Sequence, residues 1–559
     1  MNLAHLSAGI LVMLASTLSP AQSPNHLHYA PSPDATKPAP SGAMAPHLQN
    51  LGDHVFPVTT KSPQAQLFIN QGVNLAYGFN HAEAGRSFRE AARLDPECAM
   101  AYWGQALVLG PNINVPMDPG NEARALELVQ MAVSLAPNAT AREQAYIHAL
   151  AQRYSGKADE RAARDRAYAD AMRAVHRQYP KDLDAATFFA ESLMDLRPWN
   201  YWTPDGHPYP ETTEAVMAVE QVLEENPYHP GANHYYIHLM ELPYPERAES
   251  AADRLNGLMP GAGHMVHMPS HIYERVGRYS DASAANELAV KADRDYIAQC
   301  RAQGIYPITY FPHNYHFLWS SLTMEGRSQA AIDAARKTAA QIPPEAVSNL
   351  PIVQGFLVVP YYALVRFGKW EQILREAAPA QNTPFMNGVW HYARGMAYAG
   401  LGQYDSASEE LLALRKIVTS PEMAKAATWS TNSAGAILGI AVEALAGELT
   451  TRQKQYDAAI AHLDKAVRLQ DALDYVEPPD WHYPMRHSLG AVLLQAGRPN
   501  EAEVVYWDDL RQNPDNGWAL FGLHQSLTAE GKKDEAAEIQ KRFAKAWAQA
   551  DVTLTSSRF

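Results

Sequence analysis

Small residues at a fixed spacing constrain this chain more than any other feature in it. Gly531 and Ala536 follow Gly497 and Ala502 by 34 residues each, and Leu489, Gly490, Leu493 and Pro514 stand around the earlier pair. Gly395, Tyr398, Gly402, Tyr404 and Ala407 keep the same order, as do Gly447, Tyr456, Ala459, Leu463 and Ala466. Gly72, Leu75, Ala84, Phe88, Ala91 and Pro96 fit it near the start; Gly277-x-Tyr279-x-x-Ala282 and Gly326-x-Ser328-x-x-Ala331 fit it in the middle. Small residues let two helices approach closely, while large ones fill the layers between successive pairs. Such a pair cannot bury its apolar face alone, so the pairs must stack. After about Ser62 no run of alternating β-branched residues interrupts the helical pattern.

These patterns resemble those of the tetratricopeptide repeat (TPR) family over most of residues 65–545. The resemblance implies an all-α fold, a right-handed superhelical solenoid of about ten helix pairs. It also implies that the first helix of each pair lines a concave groove, where this family most often binds a peptide or a partner protein. Residues 62–386 form the N-terminal and central solenoid on this reading, 387–548 a regular C-terminal array, and 549–559 a tail. Four loops depart from a regular array: 110–120, 197–210, 297–312 and 474–483. Long ordered loops on a rigid scaffold often carry function.

Seven histidines fall in three groups: His234 and His238; His264, His267 and His271; His313 and His316. Spacings of three and four residues place each group on one side of a helix. His264 and His267 lie thirteen and ten residues before Gly277, and His313 and His316 lie thirteen and ten before Gly326. Successive repeats thus carry histidine at matching places, and His234 and His238 fall on the first helix of the preceding pair. Pro269 interrupts the second group and either kinks that helix or opens it. All seven are candidate metal ligands. Imidazole donors suit copper, zinc or iron rather than calcium or magnesium, and we rank copper first. Seven histidines supply two three-histidine sites, or one site with supporting partners. The other reading has the rings packed in a polar groove that binds a peptide. Isolated histidines such as His391, His462 and His524 are expected to make one ordinary hydrogen bond each.

Met265 and Met268 are soft donors beside the cluster, although methionine more often fills a core. Glu241 can serve as ligand, base or solvated charge. Glu191 and Asp195 lie four apart on an apolar helix, with Arg197 as an available partner. Trp199, Trp202, Tyr209, Tyr310 and Phe311 either wall a pocket over the groove or staple the loops down. No phosphate loop, nucleophile elbow, His-Glu-x-x-His or dinucleotide fingerprint occurs. The sharpest functional expectation is a copper-dependent oxidoreductase acting on a small molecule. Metal-assisted hydrolysis and metal carriage follow, and the alternative is a non-catalytic scaffold.

Residues 1–21 read as an export signal, with an apolar run from Leu6 to Leu18 and Ser19-Pro20-Ala21 at the cleavage position. They imply a periplasmic or extracellular protein. No later run reaches the length of a membrane span on this reading, so no insertion is expected after cleavage. Residues 22–61 read as a linker, rich in Pro, Ser and Ala in their first part. The net charge of −14 argues against a nucleic-acid partner. Cys98 and Cys300 are the only cysteines, which excludes a multi-thiolate site and leaves their pairing open.

Overall fold

The computed structural model describes residues 38–559 apart from 40, 204, 301–304, 344, 381, 427 and 429. The expected signal and the first part of the linker lie outside the described residues. Among the described residues there are 26 α-helices and, apart from two isolated bridges, no β-structure. From Pro63–Tyr77 with His81–Leu94 to Gly517–Ala529 with Lys533–Ala546, consecutive helices pack as neighbours. The fold is an all-α solenoid of TPR-like helix pairs.

The repeat residues do the packing work their spacing implies. A Cβ on Gly72 or Gly104 would stand 2.6 or 2.4 Å from the Phe88 ring, so that ring fills a layer only glycine admits. Tyr506 occupies the equivalent place between Gly490 and Gly522. Gly277 and Gly326 close the turns between paired helices with φ of +80° and +73°, a region L side chains rarely adopt.

Two large apolar cores result, one reaching from Leu48 to Tyr310 and the other from Val290 to Leu554. The histidine cluster sits at their seam. Met265, Met268 and Tyr235 belong to the first core and Phe317 to the second. Both methionines are therefore core filling. Trp518 Nε1 donates to the Thr323 carbonyl at 2.9 Å, and Asp551 caps the Ser328 and Gln329 amides at 2.7 and 3.0 Å. The last repeats and the tail are thereby fastened to the middle of the solenoid.

Three expectations change. Residues 41–61 are not a free linker: Leu48, Leu51 and Phe56 are buried, Thr59 N–H donates to Glu143 at 2.6 Å, and Gly261 N–H donates to the Asn50 carbonyl at 2.8 Å. The helix Ala434–Arg452 is long and apolar enough to cross a membrane, but 78% of its apolar window is buried inside the protein, as in a core helix. Arg197 does not pair with Asp195. It lies over the Tyr209 ring, and the buried Arg153 holds Asp195 at 2.6 Å and Asp165 at 3.0 Å. Cys98 and Cys300 are both buried free thiols.

Candidate metal centre

Three successive first helices deliver the cluster. His234 and His238 lie on Pro230–Met240 and His313 on Tyr310–Met324. Between them, Gly263–His267 carries His264 and His267, and Pro269–Arg275 carries His271. Proline at 269 cannot donate its amide, so the helix breaks at Met268 while keeping helical backbone angles there. His264 and His267 lie on one segment but point to different sides of it, His264 towards His234 and His267, with His271, towards His313. Their ring centroids lie 5.1 Å apart for His234 and His264, and 4.9 Å for His267 and His313.

Six of the seven predicted histidines therefore come together, as two triads. His234, His238 and His264 form one, and His267, His271 and His313 the other. Within each triad one ring nitrogen per residue lies within 4.8 Å of the others. All six side chains are buried, none more than 9% exposed. His316 is the exception. It faces away, stacked on Trp319 at 5.3 Å and edge-on to Phe356 at 5.6 Å. Phe317 occupies the place on this helix that faces the cluster, 4.6 Å from both His267 and His271.

The outward-facing hydrogen bonds determine what the inward faces offer. His234 Nδ1 lies 2.6 Å from the Tyr77 carbonyl, which can only accept, so Nδ1 carries the proton. His238 Nδ1 meets Glu241 at 3.1 Å. His271 Nδ1 meets the other oxygen of Glu241 at 2.7 Å. His267 Nδ1 meets Asn286 Oδ1 at 2.7 Å, and the Asn286 amide nitrogen donates to the Ala282 carbonyl, which fixes the amide's orientation. Four imidazoles thus have their Nδ1 protons committed outwards, and in the neutral form their Nε2 atoms present lone pairs. Those lone pairs face each other: His234 Nε2 to His238 Nε2 at 3.1 Å, and His267 Nε2 to His271 Nε2 at 2.9 Å. Two lone pairs at this distance repel unless a cation, proton or metal, lies between them. Nitrogens bound about 2.0–2.1 Å from a tetrahedral metal stand about 3.3 Å apart, close to both spacings. His264 adds a further sign, since both its ring nitrogens are buried without a hydrogen-bond partner.

Burial first, and mutual repulsion second, pushes His234, His264, His267 and His313 well below the ordinary imidazole range. His238 is lowered by burial, against the pull of Glu241. Neutral imidazole is the form that binds metal. His271 differs: burial opposes its cation, but Glu241 and Glu477 outweigh burial and push it up to about 10. Without a metal, His271 carries the proton that bridges its pair.

Glu241 is neither solvated nor placed as a base. It is 1% exposed, and one carboxylate orients a histidine from each triad. Of the aromatic residues expected to wall a pocket, two touch the centre: Trp199 stands edge-on to His238 at 5.2 Å, and Tyr310 to His264 at 4.9 Å. Trp202 instead donates to the Leu239 carbonyl, and Phe311 packs on Tyr315. His391, His462 and His524 make the ordinary bonds expected of them, to Glu410, Glu443 and the Ala536 carbonyl.

Two features escaped sequence reasoning. Glu477, from the loop 474–483, reaches His271 Nδ1 at 2.9 Å. A second cluster, His54, Asp184 and His229, also has metal-capable atoms close together. Its polarity is reversed. His229 Nδ1 accepts the Ala232 amide at 3.2 Å, so its Nε2 carries the proton and donates to Asp184 at 3.3 Å. His54 Nε2 at 2.8 Å and the Tyr77 hydroxyl at 2.6 Å converge on the same oxygen. Donors already occupy that oxygen, and His229 is a helix cap. The His229-Pro230 dipeptide at a helix start was the available signal.

No protein-family model matches the sequence. No curated protein matches it either. Among solved structures, human IFIT1 bound to m7Gppp-AAAA aligns over 87% of this chain and 91% of its own, at 14% identity and a TM-score of 0.31. The Cut9 complex with Hcn1 aligns over 87% and 78%, at 15% identity and 0.31. Yeast Tom70 aligns over 87% and 91%, at 11% identity and 0.27. These superpositions are shallow, and the description of the fold rests on the helix pairs themselves.

Proposed function

We propose that this chain is a metalloprotein built on a TPR-like solenoid, holding two transition-metal ions side by side, one in each histidine triad. The observation that carries this reading is the close His234–His238 Nε2 contact, where both Nδ1 protons are committed outwards and burial disfavours a bridging proton, beside the uncommitted nitrogens of His264. Three imidazoles per ion leave positions for substrate or solvent, as in catalytic rather than structural sites. Copper is the favoured metal, because imidazole donors suit it and because residues 1–21 read as an export signal. Bound copper would supply electron-transfer chemistry, which makes an oxidoreductase the favoured activity. This chain's residues would hold the ions, set ligand orientation through Tyr77, Glu241 and Asn286, and exclude bulk water.

The competing reading is a scaffold for a peptide or partner protein. Burial of all six imidazoles weighs against it at this site, because a peptide in an open groove has no access to them. The test is elemental mass spectrometry of the purified chain beside the His267→Ala/His271→Ala double variant. Near-stoichiometric copper, zinc or iron that is lost in the variant supports the metal reading and identifies the ion. A wild-type chain that holds no metal and takes none up on reconstitution sinks it and leaves the scaffold.

A further inference from the structure

The centre is not built from neighbouring repeats alone. Loop 474–483 belongs to the C-terminal array and is firmly seated. The Asn432 side chain exchanges hydrogen bonds with the backbone of Asp474 at 2.8 and 2.9 Å, and donates to Asp480 at 2.8 Å. Trp481 is buried against Tyr362 and Tyr392. From this base Glu477 enters the seam between the two cores, 7% exposed, with one oxygen 2.9 Å from His271 Nδ1 and the other 4.0 Å from Arg275. Tyr475 donates its hydroxyl to Glu477 and lies beneath the Arg275 guanidinium.

His271 Nδ1 has one proton, and Glu241 is the nearer acceptor at 2.7 Å. Glu477 is therefore not needed to satisfy that nitrogen. A second buried carboxylate beside the first is costly unless positive charge lies close by. Arg275, partly exposed and 4.0 Å from Glu477, supplies only part of that charge. Two metal ions in the triads would supply the remainder.

Building on the metal reading, we propose that Glu477 is a positioning residue for the His267, His271 and His313 triad, and that loading this triad is coupled to the seating of loop 474–483. The C-terminal array then completes a site whose ligands lie in the central repeats. Glu477 steers the His271 ring by charge from the side opposite the metal, its Oε2 buried 2.9 Å from Nδ1 without a hydrogen bond of its own, and offsets part of the charge the metal brings. Such supporting groups alter metal affinity by about 10- to 100-fold.

The test uses the full chain, freed of metal by chelation and titrated with Co(II), whose absorption reports ligand geometry. Hydrogen exchange of residues 474–483 is followed in parallel. In the wild type, Co(II) should slow exchange in the loop. E477Q should weaken one of two Co(II) binding steps by about 10- to 100-fold, alter that step's spectrum, and lose the protection. E477D, which keeps the charge, should recover part of each. H234A should lose the other step and keep the loop protection. Circular dichroism of E477Q and E477D establishes that they fold, and H234A tests the assignment independently of both. If the wild type binds Co(II) but E477Q matches it in affinity and spectrum, or the loop ignores the metal, this proposal is overturned and the metal reading stands. If the wild type binds no Co(II), both fall.

Discussion

The molecule contains two buried histidine clusters built to opposite polarity. Around Asp184, the Nε2 protons of His54 and His229 and the Tyr77 hydroxyl point inwards onto one carboxylate oxygen. In the six-histidine centre, the Nδ1 protons of His234, His238, His267 and His271 point outwards, and the Nε2 atoms point in as lone pairs, with one bridging proton at His271 in the metal-free state. Both have the proximity expected of a metal site, although the Asp184 cluster includes a carboxylate and a partly buried His54. The acceptor on the far side of each ring tells them apart. Tyr77 belongs to both clusters, its hydroxyl serving one and its carbonyl the other.

The largest test of this contrast is Asp184→Ala. It removes the acceptor on which three buried donors converge, and we expect a loss of about 3–5 kcal/mol, the scale for breaking a buried charged network. Denaturant unfolding measures the loss, and metal content per folded chain should stay at the wild-type value. A fall in metal content would mean that the two clusters are one functional unit. Next in size is a matched pair. His229→Phe should cost about 1–3 kcal/mol, because it strands a donor-dependent carboxylate and removes a cap. His264→Phe should be neutral or stabilising in metal-free protein, because it removes two buried nitrogens that have no partner, while metal uptake falls. Equal destabilisation by both would erase the distinction.

His482 provides a third kind of buried imidazole, stacked on Tyr362 at 4.3 Å and outside both clusters. Burial, then Arg366, lowers its pKa well below the ordinary value. The unfolded chain therefore takes up a proton near pH 6.5 that the folded chain refuses. Its contribution to stability is whole above that pH and declines on acidification towards the folded pKa, by up to about 1.4 kcal/mol per pH unit. His482→Phe should flatten the stability profile below pH 6.5 by that slope, and an unchanged profile would show that His482 titrates normally. The smallest effect is Tyr77→Phe. Losing one hydroxyl to Asp184 should cost about 1–2 kcal/mol, while the carbonyl keeps His234 in place and metal content holds.

Much of this was legible in the residues. Gly72, Phe88 and Gly490 reveal the layer packing, because only glycine leaves room for the Phe88 ring and for Tyr506, which the repeat pattern did not single out. Three- and four-residue spacing brought six of seven histidines to one centre. His316 fails for the same helical reason. On a 3.6-residue helix, position 317 is nearer in angle to 313 than position 316 is, and Phe317 takes the place facing the cluster. Matching offsets from Gly277 and Gly326 hid this, because equal spacing along the sequence does not fix how each helix is rolled about its own axis. Glu477 had no local signal, because its partner lies in another repeat. Leu48, Leu51 and Phe56 were obscured by a segment whose overall composition reads as linker, and extended chain packed on helices has no period to detect.

Ser328 and Asp551 are 223 residues apart in sequence and in direct contact. An ordinary repeat array is quasi-one-dimensional: each unit touches only its neighbours, and the array melts from its ends like a zipper. Here contacts from the C-terminal repeats to the middle close a long loop of chain, so an end cannot fray without breaking bonds to the centre. The consequence is kinetic as much as thermodynamic. Contacts so distant in sequence slow folding, and once closed they tie the persistence of the end repeats to that of the centre.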